Sequence, residues 1–314
     1  MSCSQCAAPV RVYRTLFFVD ALLKKHMDAL REIQRLQTEA ATAIPPKTVS
    51  ATTQQIRNID VFNTNVFAQE AQHAAIVAWF AQKGWQTQIH VESVDTTGFY
   101  DEMAVQIGDN YSLYKNVLDA IRWAQREGRP SCQVRLEKGE KQRRETDNQA
   151  IVDFCQKLYD TTLVARFFHN RKEKTLTLWI QDAKNAQNFF DGIWLEWYAL
   201  MNILKCAQQW QKKFSCARNL IISHGNGDRY ELDIFFLLDS TPVCLECKSG
   251  EFRPHIERAQ TLRRKLGLDS ANFIMCVAGL EDENLPGLSF MHKLTFINES
   301  TLPACLQGIA QGAP

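Results

Sequence analysis

The sequence predicts an α/β protein whose C-terminal part is a mixed sheet flanked by helices. Three observations carry this. Residues 230–238 and 243–248 are strand-length apolar runs separated by the turn-forming Asp239-Ser-Thr-Pro242. Residues 193–207 and 254–266 are helical in length and spacing. A further apolar run, 272–277, follows the second helix, as expected when strands and helices alternate.

The chain has 314 residues, 45% of them hydrophobic and 23% charged, which is ordinary for a globular protein with a sizeable core. Its formal net charge is +1, so any nucleic-acid partner must be held by a local patch rather than by bulk charge. No apolar run approaches the roughly 20 residues of a membrane span. No basic segment followed by an apolar stretch opens the chain, so the expectation is a cytoplasmic protein with no membrane partner. The ten cysteines are then expected as thiols. Cys3 and Cys6 lie near the terminus, and Cys244 and Cys247 lie on a strand, where positions three apart point to opposite faces and do not share a zinc ion.

The spacing divides the chain into an N-terminal domain over 1–110, a winged-helix-like connector over 111–185 and a larger domain over 186–314. In the first, residues 10–20 read as a strand or a helix start, 22–36 as a helix, and 44–55 as a linker. A helix over 65–83 ends at Gly84 and a strand follows over 85–92. In the second, a helix over 111–127 closes at Gly128 and residues 131–148 read as a solvated loop. A helix over 148–159 then leads to two alternating strands, 164–169 and 175–180, joined by a basic tip.

The chemistry concentrates in the third domain. Glu196 is the one acid of a helix that is apolar nearly all round, and a buried carboxylate is costly unless paired or metal-bound. A four-residue turn would set Leu238 against Val243, Phe235 against Glu246 and Asp233 against Lys248. Side chains alternate along a strand, so Asp233, Glu246 and Lys248 emerge on one face of otherwise apolar strands. The two carboxylates become diagonal neighbours about 6–8 Å apart at Cβ. Carboxylates at that reach suit Mg²⁺ or Mn²⁺, and a divalent cation stabilises and activates the groups of phosphodiester hydrolysis. Lys248 would orient or deprotonate a water, its pKa lowered by a partly dry site. Arg253 and Arg264, with other arginines of helix 254–266, are candidates for backbone phosphates.

Asp233 followed by Glu246-Cys-Lys248 resembles the PD-(D/E)XK nuclease core, and with it the restriction-endonuclease-like fold. Phe190-Asp-Gly-Ile-Trp-Leu-Glu-Trp-Tyr198, Tyr230-Glu-Leu-Asp-Ile234, Leu245-Glu-Cys-Lys-Ser-Gly250 and Leu262-Arg-Arg-Lys-Leu-Gly267 resemble the nuclease half of the CARF-associated endonucleases found beside type III CRISPR systems. That resemblance covers about residues 150–280. It implies a dimeric, Mn²⁺- or Mg²⁺-dependent enzyme cutting DNA, sometimes RNA, with Glu196, Asp233, Glu246 and Lys248 catalytic. It also implies the carbonyl of Cys247 as a further metal ligand. Residues 1–110 depart from the pattern: they show no βαβ alternation and are short for a CARF domain, so the sequence gives no support to control by a cyclic oligoadenylate. The competing readings are an inactive nucleic-acid-binding protein that keeps the fold as a scaffold, and a repair or transposition nuclease.

Overall fold

The structure is a computed structural model that describes residues 10–13, 16–19, 70–89, 99–136, 145–210 and 212–311. The chain forms two compact units, Met1–Thr53 and Gln54–Pro314. In the first, β1 (Val10–Tyr13) and β2 (Leu16–Val19) pair antiparallel, so this stretch is strand rather than helix. The Cys3–Cys6 pair, the helix over 22–36, the linker over 44–55 and the charged run over 138–144 lie outside the described residues.

The second unit opens with α1 (Glu70–Gln82), β3 (Trp85–Gln88), α2 (Phe99–Asp109) and α3 (Tyr111–Arg126). Next come β4 (Ser131–Arg135), α4 (Glu145–Asp160), β5 (Val164–Asn170), β6 (Thr175–Ile180) and the short α5 (Lys184–Asn188). A wide turn over Phe189–Ile193 leads into α6 (Trp194–Gln209). The remainder is β7 (Phe214–His224), β8 (Arg229–Leu238), β9 (Thr241–Lys248), α7 (Ile256–Leu266), β10 (Phe273–Val277), α8 (Leu285–His292), β11 (Thr295–Ile297) and α9 (Leu302–Gln311).

Six strands make one mixed sheet in the order β11-β10-β9-β8-β7-β3. From β3 to β9 the neighbours run antiparallel; β9, β10 and β11 run parallel, joined by the crossovers that carry α7 and α8. A separate antiparallel sheet, β4-β6-β5, packs with α3 and α4. The stretch expected as a loop over 131–148 therefore holds β4, whose Cys132 and Val134 point inward.

The six-stranded sheet is covered on both faces, which is why β8, β9 and β10 read as largely apolar runs. One face carries Ile234, Phe236, Leu245 and Cys247 and packs with Trp194, Ile203 and Leu204 of α6 and Leu306 of α9. The other carries Phe235, Leu237, Cys244 and Met275 and packs with Ile76 and Phe80 of α1 and Leu262 and Leu266 of α7. The first core continues through Val117, Phe154 and Leu178. Residues 85–88, placed by the sequence in an N-terminal domain, are an edge strand of this sheet, Trp85 pairing with His224. Helix α2, with no sequence signal of its own, crosses α6 so closely that a Cβ on Gly108 would fall 2.3 Å from the Tyr198 ring.

Two features of β7, β8 and β9 position the site. First, the turn between β8 and β9 is two residues, Asp239 and Ser240, with Asp239 at φ 56°. Leu238 pairs with Thr241 and Phe235 with Cys244, two residues tighter than the expected register. An even shift leaves every side chain on its face. Continuing that register sets Asp233 directly opposite Glu246 instead of diagonal to it.

Second, β7 and β8 kink together. Phe214 and Cys216 pack with one core, yet Ala217, Leu220 and Ile222 pack with the other. On β8, Phe235 and Leu237 share a core with Leu232, which strict alternation would put on the opposite side. Both strands thus change face at the same level. The pairing passes from Arg218–Ile234 to Leu220–Leu232, leaving Asn219 and Asp233 facing each other outside it. Asn219 takes φ 52°, a left-handed conformation that asparagine tolerates and β-branched residues resist. Asn219→Gly is expected to keep wild-type stability, and Asn219→Val to lose about 1–2 kcal/mol from backbone strain alone. Urea denaturation of the pair measures this, and equal midpoints would refute the strained kink.

Candidate active site

Asp233, at the kink, has no backbone partner opposite it on β7. Its Oδ2 instead accepts the Cys247 amide at 2.7 Å, so the side chain takes over where the β8–β9 ladder stops. The same oxygen accepts from the Lys248 ammonium at 3.1 Å. Lys248 Nζ also donates to the Cys247 carbonyl at 2.9 Å and lies 3.4 Å from Glu246 Oε2. The three oxygen donors expected to hold a metal, from Asp233, Glu246 and the Cys247 backbone, therefore converge on one cationic point.

Glu246 is half satisfied. Its Oε2 meets Lys248, while its Oε1 is buried with no hydrogen-bond partner among the described residues. Burial, then the Asp233 charge, push its pKa up to about 8 against the pull of Lys248. Burial draws the Lys248 ammonium down, but Asp233 and Glu246 outweigh it and the net shift is upward. The lowered lysine pKa expected from a dry site is thus corrected, because two facing carboxylates hold the proton on.

Glu196 reaches the site from the other side of the sheet. It sits in the first turn of α6, where the helix dipole favours an anion. Its Oε2 accepts from Arg218 Nη1 at 2.8 Å. Arg218, on β7, is 4% exposed and lies 4.0 Å from the Trp197 ring. Burial, then Asp233, push the Glu196 pKa up to about 7 despite that partner. Sequence reasoning missed Arg218; a single guanidinium in an apolar strand was the available signal that the lone acid of α6 has a buried counter-ion.

Two clefts open on this centre. One, of about 160 Å³, is lined by Glu231, Asp233, Glu246, Lys248 and the α7 side chains Arg258 and Leu262. The other is lined by Gly192, Glu196, Asp233, Lys248, Ser249 and Gly250. Asp233, Lys248 and His255 border both. The second cleft's rim is tied down by Ser249: its carbonyl accepts from Arg122 of α3 at 2.6 Å and its hydroxyl donates to the Asp191 carbonyl at 3.1 Å. Gly192, at φ 154°, lets that rim approach, since a Cβ there would meet Ser249 Oγ at 3.1 Å.

The structure thus brings together Glu196, Asp233, Glu246, Lys248 and Cys247. It does not bring Arg253 and Arg264 to them: Arg253 is exposed and held by Glu251 at 3.0 Å, and Arg264 donates to the Gln260 carbonyl of its own helix at 3.3 Å. Cys244 and Cys247 point into opposite cores, as the strand requires. Among the described residues no group of three or more His, Cys, Asp or Glu side chains is placed to hold a metal. Two carboxylates and one carbonyl fit a hard divalent cation that keeps part of its water shell.

No family pattern and no curated protein sequence matches the chain. Among solved structures it is similar to Can2 from Sulfobacillus thermosulfidooxidans, determined in complex with cyclic tetra-adenylate, at 17% identity and a TM-score of 0.51. The match covers 75% of this chain and 60% of Can2, so the chain spans less than two thirds of that protein. It also matches VC1899 from Vibrio cholerae at 16% identity and a TM-score of 0.47, over 76% of this chain and 60% of that one. The likeness to Can2 is one of fold: a mixed sheet flanked by helices.

Glu196 and Glu246 contribute to the pH response of the metal-free protein, beside Glu299, also raised by burial, and His73, lowered by burial. Glu196 and Glu246 have folded pKa values above the ordinary 4.5, so the folded state binds more protons between there and about 8. Their contribution to stability is present below pH 4.5 and is lost as pH rises through about 7 and 8. In EDTA, Tm is expected to fall by several degrees as pH rises across this window, and Glu246→Gln to flatten the fall. A Glu246→Gln profile parallel to that of the wild type over this range would contradict the raised pKa of Glu246.

Proposed function

We propose that the chain is a divalent-metal-dependent nuclease of the PD-(D/E)XK type, cutting nucleic acid, DNA in preference to RNA. The observation that carries this is the buried, unpartnered Oε1 of Glu246 beside Asp233 and the Cys247 carbonyl. A carboxylate oxygen stripped of water and without a donor calls for a cation or a proton. Acceptors of this hardness select Mg²⁺ or Mn²⁺ over softer metals. Asp233, Glu246 and the Cys247 carbonyl would hold the ion. When bound, it would supply phosphate charge stabilisation and water activation.

The chain's own residues do the rest. Lys248, poised beside Asp233, Glu246 and the Cys247 carbonyl, would orient the attacking water at the metal. Glu196, pinned by Arg218, offers a second acceptor on the far side of Asp233. The rim at Ser249 and Gly250, tethered by Arg122, limits how that cleft deforms around a substrate. The resemblance of the motifs and the fold shared with Can2 together support a role in prokaryotic defence linked to type III CRISPR. They also make cyclic tetra-adenylate the first activator to include. Cutting both strands of a duplex takes two such sites, so the working species on this reading is a homodimer.

Cleavage of DNA and RNA, each with and without cyclic tetra-adenylate, tests the reading. Cutting is expected with Mn²⁺ or Mg²⁺ and none in excess EDTA. Asp233→Asn, Glu246→Gln and Lys248→Ala should each lower it by about a hundredfold or more while the fold persists. Wild-type Tm should rise with Mn²⁺, and less so in Asp233→Asn, because a ligand of the folded state stabilises it by mass action. Undiminished cutting in EDTA, or no Mn²⁺ shift at any concentration, overturns the metal site. Light scattering at the 36.0 kDa of one chain, with full duplex cutting, overturns the dimer.

A further inference from the structure

An anionic strand entering the Glu246 cleft meets a wall of acids. Glu231, Asp233 and Glu246 all border it. Lys248 borders it too, but on the nuclease reading its ammonium serves the attacking water at the metal rather than the strand beyond it. A divalent cation would offset two of the acid charges and leave the cleft no better than balanced. Holding a phosphodiester there requires a further cation whose donors are open.

Elimination identifies it. Around the cleft, Arg253 is bound by Glu251, and Lys265 by Asp228. Arg263 donates to the Leu268 carbonyl at 2.8 Å, and Arg264 to the Gln260 carbonyl. Arg258 is different. It is exposed, it lines the cleft, and among the described residues no acid or carbonyl binds its guanidinium. Its guanidinium carbon lies 5.7 Å from the centre of the Tyr230 ring, on β8, a ring that Lys265 Nζ also faces at 5.4 Å. A ring placed there fixes the direction of a guanidinium without occupying its N–H donors. His255, one turn earlier on the same side of the helical segment, borders both clefts and continues the polar wall toward Glu196.

We infer that Arg258 is the phosphate-binding residue of the substrate strand, gripping the backbone beside the bond to be cut while Tyr230 holds it in place. The inference rests on the nuclease reading above and adds to it the residue that receives the strand. It also places the strand's path along the N-terminal part of α7, over Arg258, rather than along Arg264 on the outer side of that helix.

The test uses the full chain. Binding of labelled single-stranded DNA, duplex DNA and RNA is followed by fluorescence anisotropy in Ca²⁺ over a salt series, and cleavage in Mn²⁺ is resolved into kcat and KM. Arg258→Gln is expected to weaken binding and raise KM by about tenfold. Its salt slope should fall in size by about one, the signature of one lost phosphate contact, and kcat should move much less. Arg258→Lys, which keeps the charge, should recover most of the affinity. Arg258→Gln binding as wild type, in a protein that cuts, overturns the assignment and leaves the nuclease reading standing. A loss of affinity with an unaltered salt slope, or one that tracks a lowered Tm, also overturns it, since that is the mark of a structural role. A wild-type chain that binds and cuts no nucleic acid removes both readings.

Discussion

The paired kink at Asn219 and Asp233 is the constraint on which the site depends. A regular strand gives each side chain to one face of its sheet. Here two neighbouring strands change face at the same level and keep their register, with Leu220 paired to Leu232 beyond the kink. The residue at the crossing belongs to neither apolar core. Asp233 can therefore border both clefts, one beneath α7 and one beside α6. With an unkinked β8, Asp233 would project into the same layer as Phe235, and Glu196, on the other side of the sheet, would have no access to it.

The acids around Asp233 are compensated in two different ways. Glu196 is closed: a buried guanidinium binds it at 2.8 Å, and that guanidinium is itself covered by Trp197. Removing either partner would strand a charge in the core, so this pair is a fixed part of the scaffold. Glu246 is open, with one oxygen buried and unpartnered and the other 3.4 Å from a lysine shared with two more acceptors. A pair held at one distance positions; a shared, incomplete one leaves room for exchange. The division of labour between the two faces follows from this contrast.

Much of this was legible in the sequence because burial leaves a period. α3, α4, α6 and α7 have apolar positions at helical spacing or are apolar all round, and β8 to β10 are apolar runs of strand length. The motif of Asp233, Glu246 and Lys248 was visible for the complementary reason, since charges in apolar strands stand out. What escaped depends on partners far along the chain. β4 is five residues long, too short to carry a period against polar neighbours, and the strand expected from residue 85 gave no sign that it pairs with β7. The β8–β9 register was set two residues too loose because Pro242 reads as a turn residue. It lies inside β9 instead, beyond the level where β10 begins to pair, where its missing N–H does no harm. The kink has no local signature beyond one asparagine. Arg253 and Arg264 looked like phosphate contacts because helical spacing does not say which cations are already bound.

The position of β3 bears on how the chain can be divided. By motif, the segment that carries the site could be expressed alone from residue 186. In the fold, β3 covers the outer edge of β7 from Ile221 to His224, and α1 supplies Ile76 and Phe80 to the core beneath Phe235. A shortened chain would bare a row of unpaired amides and carbonyls along an apolar strand, the template for edge-to-edge aggregation. The same arrangement bears on folding. β3 and β7 are separated by more than a hundred residues of chain, so pairing them closes a long loop at an entropic cost. A piece that keeps the site with its sheet edge covered therefore includes α1 and β3, well ahead of the first residue of the site itself.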